Sequence, residues 1–119
     1  MLIESLSGVR GYDTDLTKEL ISSYAAALKE LLACRRVVLG RDTRASGVRI
    51  REQLTEALRR YGVAVIDLGI CPTPTVEMAV VQHRADAGVV ITASHNPLPW
   101  NGLKFLGADG LFLDPEQML

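Results

Sequence analysis

Val89-Val90-Ile91 is an apolar run that stops at Thr92-Ala93-Ser94-His95-Asn96-Pro97, a string of small, polar, turn-forming residues. A second apolar run, Leu103 to Leu106, follows and contains Lys104. Together these residues could offer one ligand a hydroxyl, an imidazole and an ammonium group. Asn96 can shape a turn through its own backbone. Pro97 and Pro99 limit backbone freedom, so the loop is stiff, which a site needs and a connector does not. Adjacent residues tend to point apart, so His95 need not be the base for Ser94. On the residues alone two readings stay open, a structural turn and a functional loop. Lys104 is equally a surface-edge lysine or a lysine beside a phosphate. Arg10, held in Gly8-Val9-Arg10-Gly11, reads as a solvated turn residue or as an anion contact that glycines allow a ligand to approach.

The rest of the chain reads as scaffold for that loop. Met1 to Ser7 suits a short edge strand. Thr17 is a good cap for a helix carrying Leu20, Ile21, Tyr24, Ala25, Leu28, Leu31 and Leu32 on one stripe, ending near Ala33 to Arg35. Arg36 to Gly40 is a β-branched strand covered on both faces. Ser46 reads as the cap of a second helix with Ile50, Leu54, Ala57, Leu58 and Tyr61 buried, stopped by Gly62. Val63 to Gly69 is the next strand. Thr73 as cap and Pro74 at the first position start a third helix, with Val76, Ala79, Val80 and His83 on one face. Ala87 to Ile91 is a strand, Gly102 to Leu106 returns, and Asp109-Gly110 marks a hairpin to a last edge strand at Leu111 to Leu113. Asp114-Pro115 resembles a further helix start with too few residues after it to form a helix, which reads as the mark of an excerpt.

Strand–loop–helix alternation at crossover spacing predicts a sheet with a parallel set and right-handed connections. In such sheets ligands lie beyond the carboxyl ends of the strands. Three loops belong there: Arg41 to Ser46, Gly69 to Thr73 and Thr92 to Trp100.

The 119 residues suit one domain, with 48% apolar residues and a formal net charge of -1. There is no basic excess to favour nucleic acid, and the apolar runs are far short of a membrane span. No positive segment precedes a long apolar stretch, as a signal peptide would require. Cys34 and Cys71 form no motif and read as two buried thiols in a reducing compartment, with the cytoplasm as the expected location. No nucleotide P-loop, no Gly-x-Ser-x-Gly elbow around Ser94, and no zinc pattern is present.

The motifs resemble those of the first domain of the α-D-phosphohexomutase superfamily, the phosphoglucomutase and phosphomannomutase enzymes, with phosphoglucosamine mutase among the possible types. Thr92 to Pro97 resembles that family's phosphoserine loop. Gly40-Arg41-Asp42-Thr43-Arg44 with Ser46-Gly47, Gly8-Val9-Arg10-Gly11 and Asn101-Gly102-Leu103-Lys104 resemble three further motifs, in order and at family-like spacing. Asp67-Leu68-Gly69 and Pro72-Thr73-Pro74 also fall where the family has such residues. The resemblance covers nearly the whole chain and implies a three-layer αβα domain, residues 1–119, with a mixed, mostly parallel sheet.

By that resemblance Ser94 is stored phosphorylated and donates its phosphoryl group to a hexose monophosphate. A hexose bisphosphate forms, its other phosphate returns to Ser94, and phosphate moves between C1 and C6. Arg10 would help hold the phosphoryl group, Lys104 would assist proton transfer or stabilise charge, and His95 would contact substrate or support the loop. A magnesium ion would bridge the Ser94 phosphate and acidic residues of a second domain. The family's aspartate–glycine metal loop, its sugar-reading loop and its distal phosphate site have no counterpart here. The N-terminal motif also lacks the common Thr-Asp before Gly8. The chain alone is therefore expected to lack mutase activity, with the remaining domains of the same enzyme as its partners. The alternatives are a non-catalytic sugar-phosphate-binding or regulatory module that keeps the fold, and a plain structural domain.

Overall fold

Apolar residues recurring every three or four positions become three helices. In the computed structural model, which describes residues 1–5 and 7–113, these are α1 (Lys18–Leu31), α2 (Ser46–Arg60) and α3 (Thr73–Gln82). Thr17 caps α1 as expected, its hydroxyl accepting the N–H of Leu20 at 3.2 Å. Ile21, Ala25 and Leu28 are buried from α1, and Ile50, Leu54, Ala57 and Leu58 from α2. Ser46 is not a cap. It is the first residue of α2, and its hydroxyl accepts from Asn101 Nδ2 at 2.7 Å instead of from the helix. Thr73 likewise lies within α3, because extended Pro72 takes the cap position. Tyr61 and His83 fall at the C-terminal caps, beyond the last buried turn, and are exposed.

The strands are β1 (Leu2–Ser5), β2 (Gly8–Tyr12), β3 (Arg36–Arg41), β4 (Ala64–Ile70), β5 (Ala87–Ile91) and β6 (Trp100–Gly107). They form one sheet in the order β1-β2-β6-β5-β3-β4. β3 pairs in parallel with β4 and β5, while β5–β6, β6–β2 and β2–β1 are antiparallel. Four of the six strands, β2 to β5, therefore run the same way. The step from β3 to β4 moves along the sheet and the step from β4 to β5 returns across β3. Right-handed crossovers then place α2 and α3 on opposite faces.

Two cores follow. Under α1 and α2, Val37, Leu39, Val89, Ile91, Leu103 and Phe105 meet Ile21, Leu28, Ile50 and Leu54. Under α3, the alternate residues Val38, Val90 and Leu106 meet Val76, Ala79 and Val80. The result is the expected three-layer αβα domain with a mixed sheet.

Gly8-Val9-Arg10-Gly11 is not a turn but strand β2, between β1 and β6. Its glycines serve close packing: a Cβ on Gly8 would lie 2.2 Å from the carbonyl oxygen of Leu103. Leu111 to Leu113 makes only an isolated bridge, Leu106 to Phe112. β2 already occupies that edge of β6 as far as Lys104, so little of the edge is left to pair with. The helix start read at Asp114-Pro115 lies outside the described residues. Cys34 is buried, Cys71 half-buried, and both are free thiols. Among the described residues, no helix is long and apolar enough to cross a membrane.

Candidate active site

β3 and β5 are parallel neighbours, so the loops that follow them leave the sheet side by side. Their ladder runs one step further, with Asp42 N–H donating to the Ile91 carbonyl at 3.1 Å. On the other side Thr92 N–H donates to the Gly102 carbonyl at 3.0 Å. Ser94 stands two residues past Thr92 and gives its own N–H to the Thr92 hydroxyl at 3.0 Å. Asn96 N–H reaches the Ala93 carbonyl at 3.1 Å and closes a four-residue turn. Ser94 has φ +56, whereas His95 keeps a negative φ, the sign pattern of a type II′ turn. Glycine is the usual occupant of that position. A side chain there costs roughly 1–2 kcal/mol in backbone strain.

The strain is held by polar contacts from the β3 loop. Arg44, whose side chain is 13% exposed, donates through Nη2 to the Ser94 carbonyl at 2.7 Å. Its Nη1 reaches the carbonyls of Asn96 at 2.8 Å and Trp100 at 3.0 Å. Its Nε pairs with Asp42 Oδ2 at 3.0 Å, and Asp42 Oδ1 accepts the Arg44 backbone N–H at 3.0 Å. Asp42 Oδ2 also accepts the Thr92 hydroxyl at 2.7 Å. A hydrogen bond from a charged donor is worth about 1.5–3 kcal/mol net, so three carbonyls on one guanidinium outweigh a single left-handed residue.

Lys104 Nζ donates to Ser94 Oγ. The lysine lies on β6 opposite Val90 on one side and Gly8 on the other, and its Nζ sits 5.7 Å from the centroid of the Phe112 ring. Arg10, exposed on β2 opposite Gly102, donates from Nη1 to Asn96 Oδ1 at 3.2 Å. Glycine is required at 102: a Cβ would come within 2.5 Å of the Val9 carbonyl oxygen, 2.9 Å of the Thr92 carbonyl oxygen and 2.9 Å of Arg10 Cβ. His95 is exposed on the turn, and no hydrogen bond joins it to Ser94 among the described residues. A groove of about 250 Å³ is lined in part by Ser5, Ser7, Arg10, Thr92, Ala93 and Lys104.

The structure thus unites Ser94 with Lys104 and attaches Arg10 to the same turn through Asn96, while the exposure of His95 fits a different role from that of a base for Ser94. Asp42, Thr92 and Arg44 are the contributors that reasoning from side-chain chemistry passed over. Their signal was the dense polar run directly after an apolar strand. The group has one hydroxyl held against an ammonium ion, with a guanidinium nearby and, among the described residues, no carboxylate bonded to the hydroxyl itself. Such a set can receive and keep an anionic group on Oγ. For a divalent cation it offers little: among the described residues no three His, Cys, Asp or Glu side chains converge, and Asp42 is committed to Arg44 and Thr92. Ser94 could supply a metal with one ligand, through a phosphate, and the carboxylates would have to come from elsewhere.

The family model of phosphoglucomutase/phosphomannomutase, alpha/beta/alpha domain I, matches residues 3–119. A "probable phosphoglucosamine mutase" of Methanosphaera stadtmanae is 43% identical over 114 residues, covering 93% of this chain and 25% of that protein. The phosphoglucosamine mutase of Deinococcus deserti is 48% identical over 99 residues, covering 80% of this chain and 22% of that protein. Among solved structures, a "putative phosphomannomutase" from Thermus thermophilus superposes with a TM-score of 0.85 at 31% identity. The match covers 98% of this chain and 28% of that one. The chain spans about a quarter of the length of the curated relatives it matches.

Proposed function

The chain belongs to the phosphoglucomutase/phosphomannomutase family, and we propose that it is the phosphoserine domain of an intramolecular phosphotransferase. Ser94 carries a phosphoryl group and gives it to a hydroxyl of a hexose monophosphate. The hexose bisphosphate so formed returns its other phosphate to Ser94, and phosphate has moved between C1 and C6. Membership of an enzyme family outweighs the reading of a non-catalytic binding module. The relatives' name supports a glucosamine phosphate as the sugar.

The observation that carries the proposal is the pairing of Lys104 Nζ with Ser94 Oγ on a strained, braced turn. In the forward step the bond from phosphorus to Ser94 Oγ breaks and the bond to the sugar oxygen forms. The sugar hydroxyl loses a proton, and Ser94 Oγ gains one. Lys104, hydrogen-bonded to Oγ, stabilises the negative charge that grows there and hands over the proton, regaining one from the sugar side. Arg10 adds positive charge near the transferring group. His95, exposed at the tip of the turn, faces incoming substrate. Magnesium, held by the Ser94 phosphate and carboxylates of a further domain, would neutralise phosphoryl charge. Among the described residues no such group of carboxylates converges, so the isolated domain would be inactive.

The test is turnover by the intact protein with glucosamine, glucose and mannose 6-phosphates. Wild type should isomerise the glucosamine ester fastest, and Ser94→Ala should abolish isomerisation of all three. An S94A protein that isomerises at the wild-type rate would rule out the phosphoserine mechanism.

A further inference from the structure

Arg44 lies behind Ser94 and is aimed at peptide oxygens, not at the groove. It nevertheless holds three points of one loop, the carbonyls of Ser94, Asn96 and Trp100. The Ser94 peptide is held on both sides by one closed circuit. Arg44 takes its carbonyl, Thr92 Oγ takes its N–H, and Asp42 Oδ2 joins Thr92 back to Arg44. The serine inside this circuit is the residue in the left-handed conformation, so the bracing falls on the reactive residue itself and not on a flanking connector.

We infer that Arg44 is a positioning residue for Ser94. With Asp42 and Thr92 it locks the left-handed backbone so that Oγ stays against Lys104 in both the loaded and the unloaded state. The inference rests on the phosphoryl-carrier reading of Ser94. A carrier must release its group and take it back from the same place, so a turn that relaxed after release would lose alignment for the return. The arginine is specific to the task. Its planar fork reaches three carbonyls and a carboxylate at once, and a lysine has neither the span nor the directions.

The experiment uses the intact protein and whichever of the three sugar phosphates wild type turns over best. Arg44→Lys should lower kcat about 100-fold with KM changed less than about threefold, since a small misplacement of a reacting atom is a rate defect and not a binding defect. Both constants are expressed per folded molecule, from circular dichroism and active-site titration. Thr92→Val, nearly isosteric, should show the same kcat-weighted loss, and Thr92→Ser should rescue it by restoring the hydroxyl. If R44K fails to fold, the Thr92 pair decides. Wild-type kcat in folded R44K or T92V overturns the inference, as does a loss that falls on KM alone. Should those variants be fully active while S94A is dead, only the brace fails. An active S94A removes the carrier reading and the inference together.

Discussion

Near the carboxyl ends of two parallel strands, β4 and β5, the chain twice adopts a positive φ. In β4 that residue is Gly69, inside the strand at φ +74, where the register with β3 shifts and an added Cβ would meet nothing within 4 Å. Its N–H is satisfied by Asp67 of its own strand at 2.9 Å, and Asp67 pairs with Arg51 on α2 at 3.1 Å. After β5 the residue is Ser94, at φ +56, and the loop is held by side chains from two other segments of the chain. Gly69 adopts a positive φ at no steric cost, and Ala33 and Arg84 adopt one just past the ends of α1 and α3. The Ser94 loop keeps a side chain there and surrounds it with polar contacts. Strain at a non-glycine residue, held by side chains from other segments, distinguishes the Ser94 loop from the bend in β4.

The sharpest way to break this comparison is to give the Ser94 loop the neighbour's solution. Ser94→Gly relieves the backbone but removes the oxygen proposed to carry the group. Turnover should be lost entirely, while urea denaturation finds the protein within about 1 kcal/mol of wild type. Gly102→Ala should be next in size. It drives a methyl into the Val9 and Thr92 carbonyls, costing about 1–3 kcal/mol by denaturation and reducing kcat as β5, β6 and β2 shift apart. The reverse exchange, Gly69→Ala, should cost about 1–2 kcal/mol from φ alone and leave kcat untouched. Smallest is Arg51→Met, which removes a partly exposed pair and should change stability by no more than about 1 kcal/mol, with wild-type turnover. A kcat defect in either of the last two would erase the distinction between the two positions.

A pH experiment separates the site from the opposite end of the sheet. Burial, and then the charge of Asp86, raise the Cys34 thiol from its ordinary 9.0 to about 11. The folded state therefore favours the neutral thiol. This contribution to stability is complete below pH 9 and is lost as pH rises through about 11. Denaturation curves across that window should steepen their loss in wild type and flatten in Cys34→Ala.

The order of elements and the Ser94 loop were readable because they rest on local signals: β-branched runs, helical periodicity, Pro and Asn in turns. Lys104 could be picked out for the same reason, as a charge in an apolar strand. The misreadings have a common cause in tertiary context. Gly8 and Gly11 carry the composition of a turn, but an added Cβ on either would meet a backbone carbonyl oxygen at 2.2 Å, so they are strand glycines at close approach. Ser46 has the composition of a cap, yet Asn101, 55 residues away, claims its hydroxyl. Arg44 reaches carbonyls 50 or more residues along the chain, and no local pattern reports that. His95 is adjacent to Ser94 in sequence but exposed on the turn, whereas Lys104, ten residues on, makes the contact.

The most direct test of Ser94 as the carrier is intact-mass and peptide analysis of the intact protein, purified without phosphatase. The expected result is one phosphoryl group on the peptide containing Ser94, discharged by excess hexose monophosphate, restored by hexose bisphosphate, and absent from S94A. A fully active protein with no phosphoryl group on Ser94 at any stage of turnover, or with the group on another residue, would contradict it.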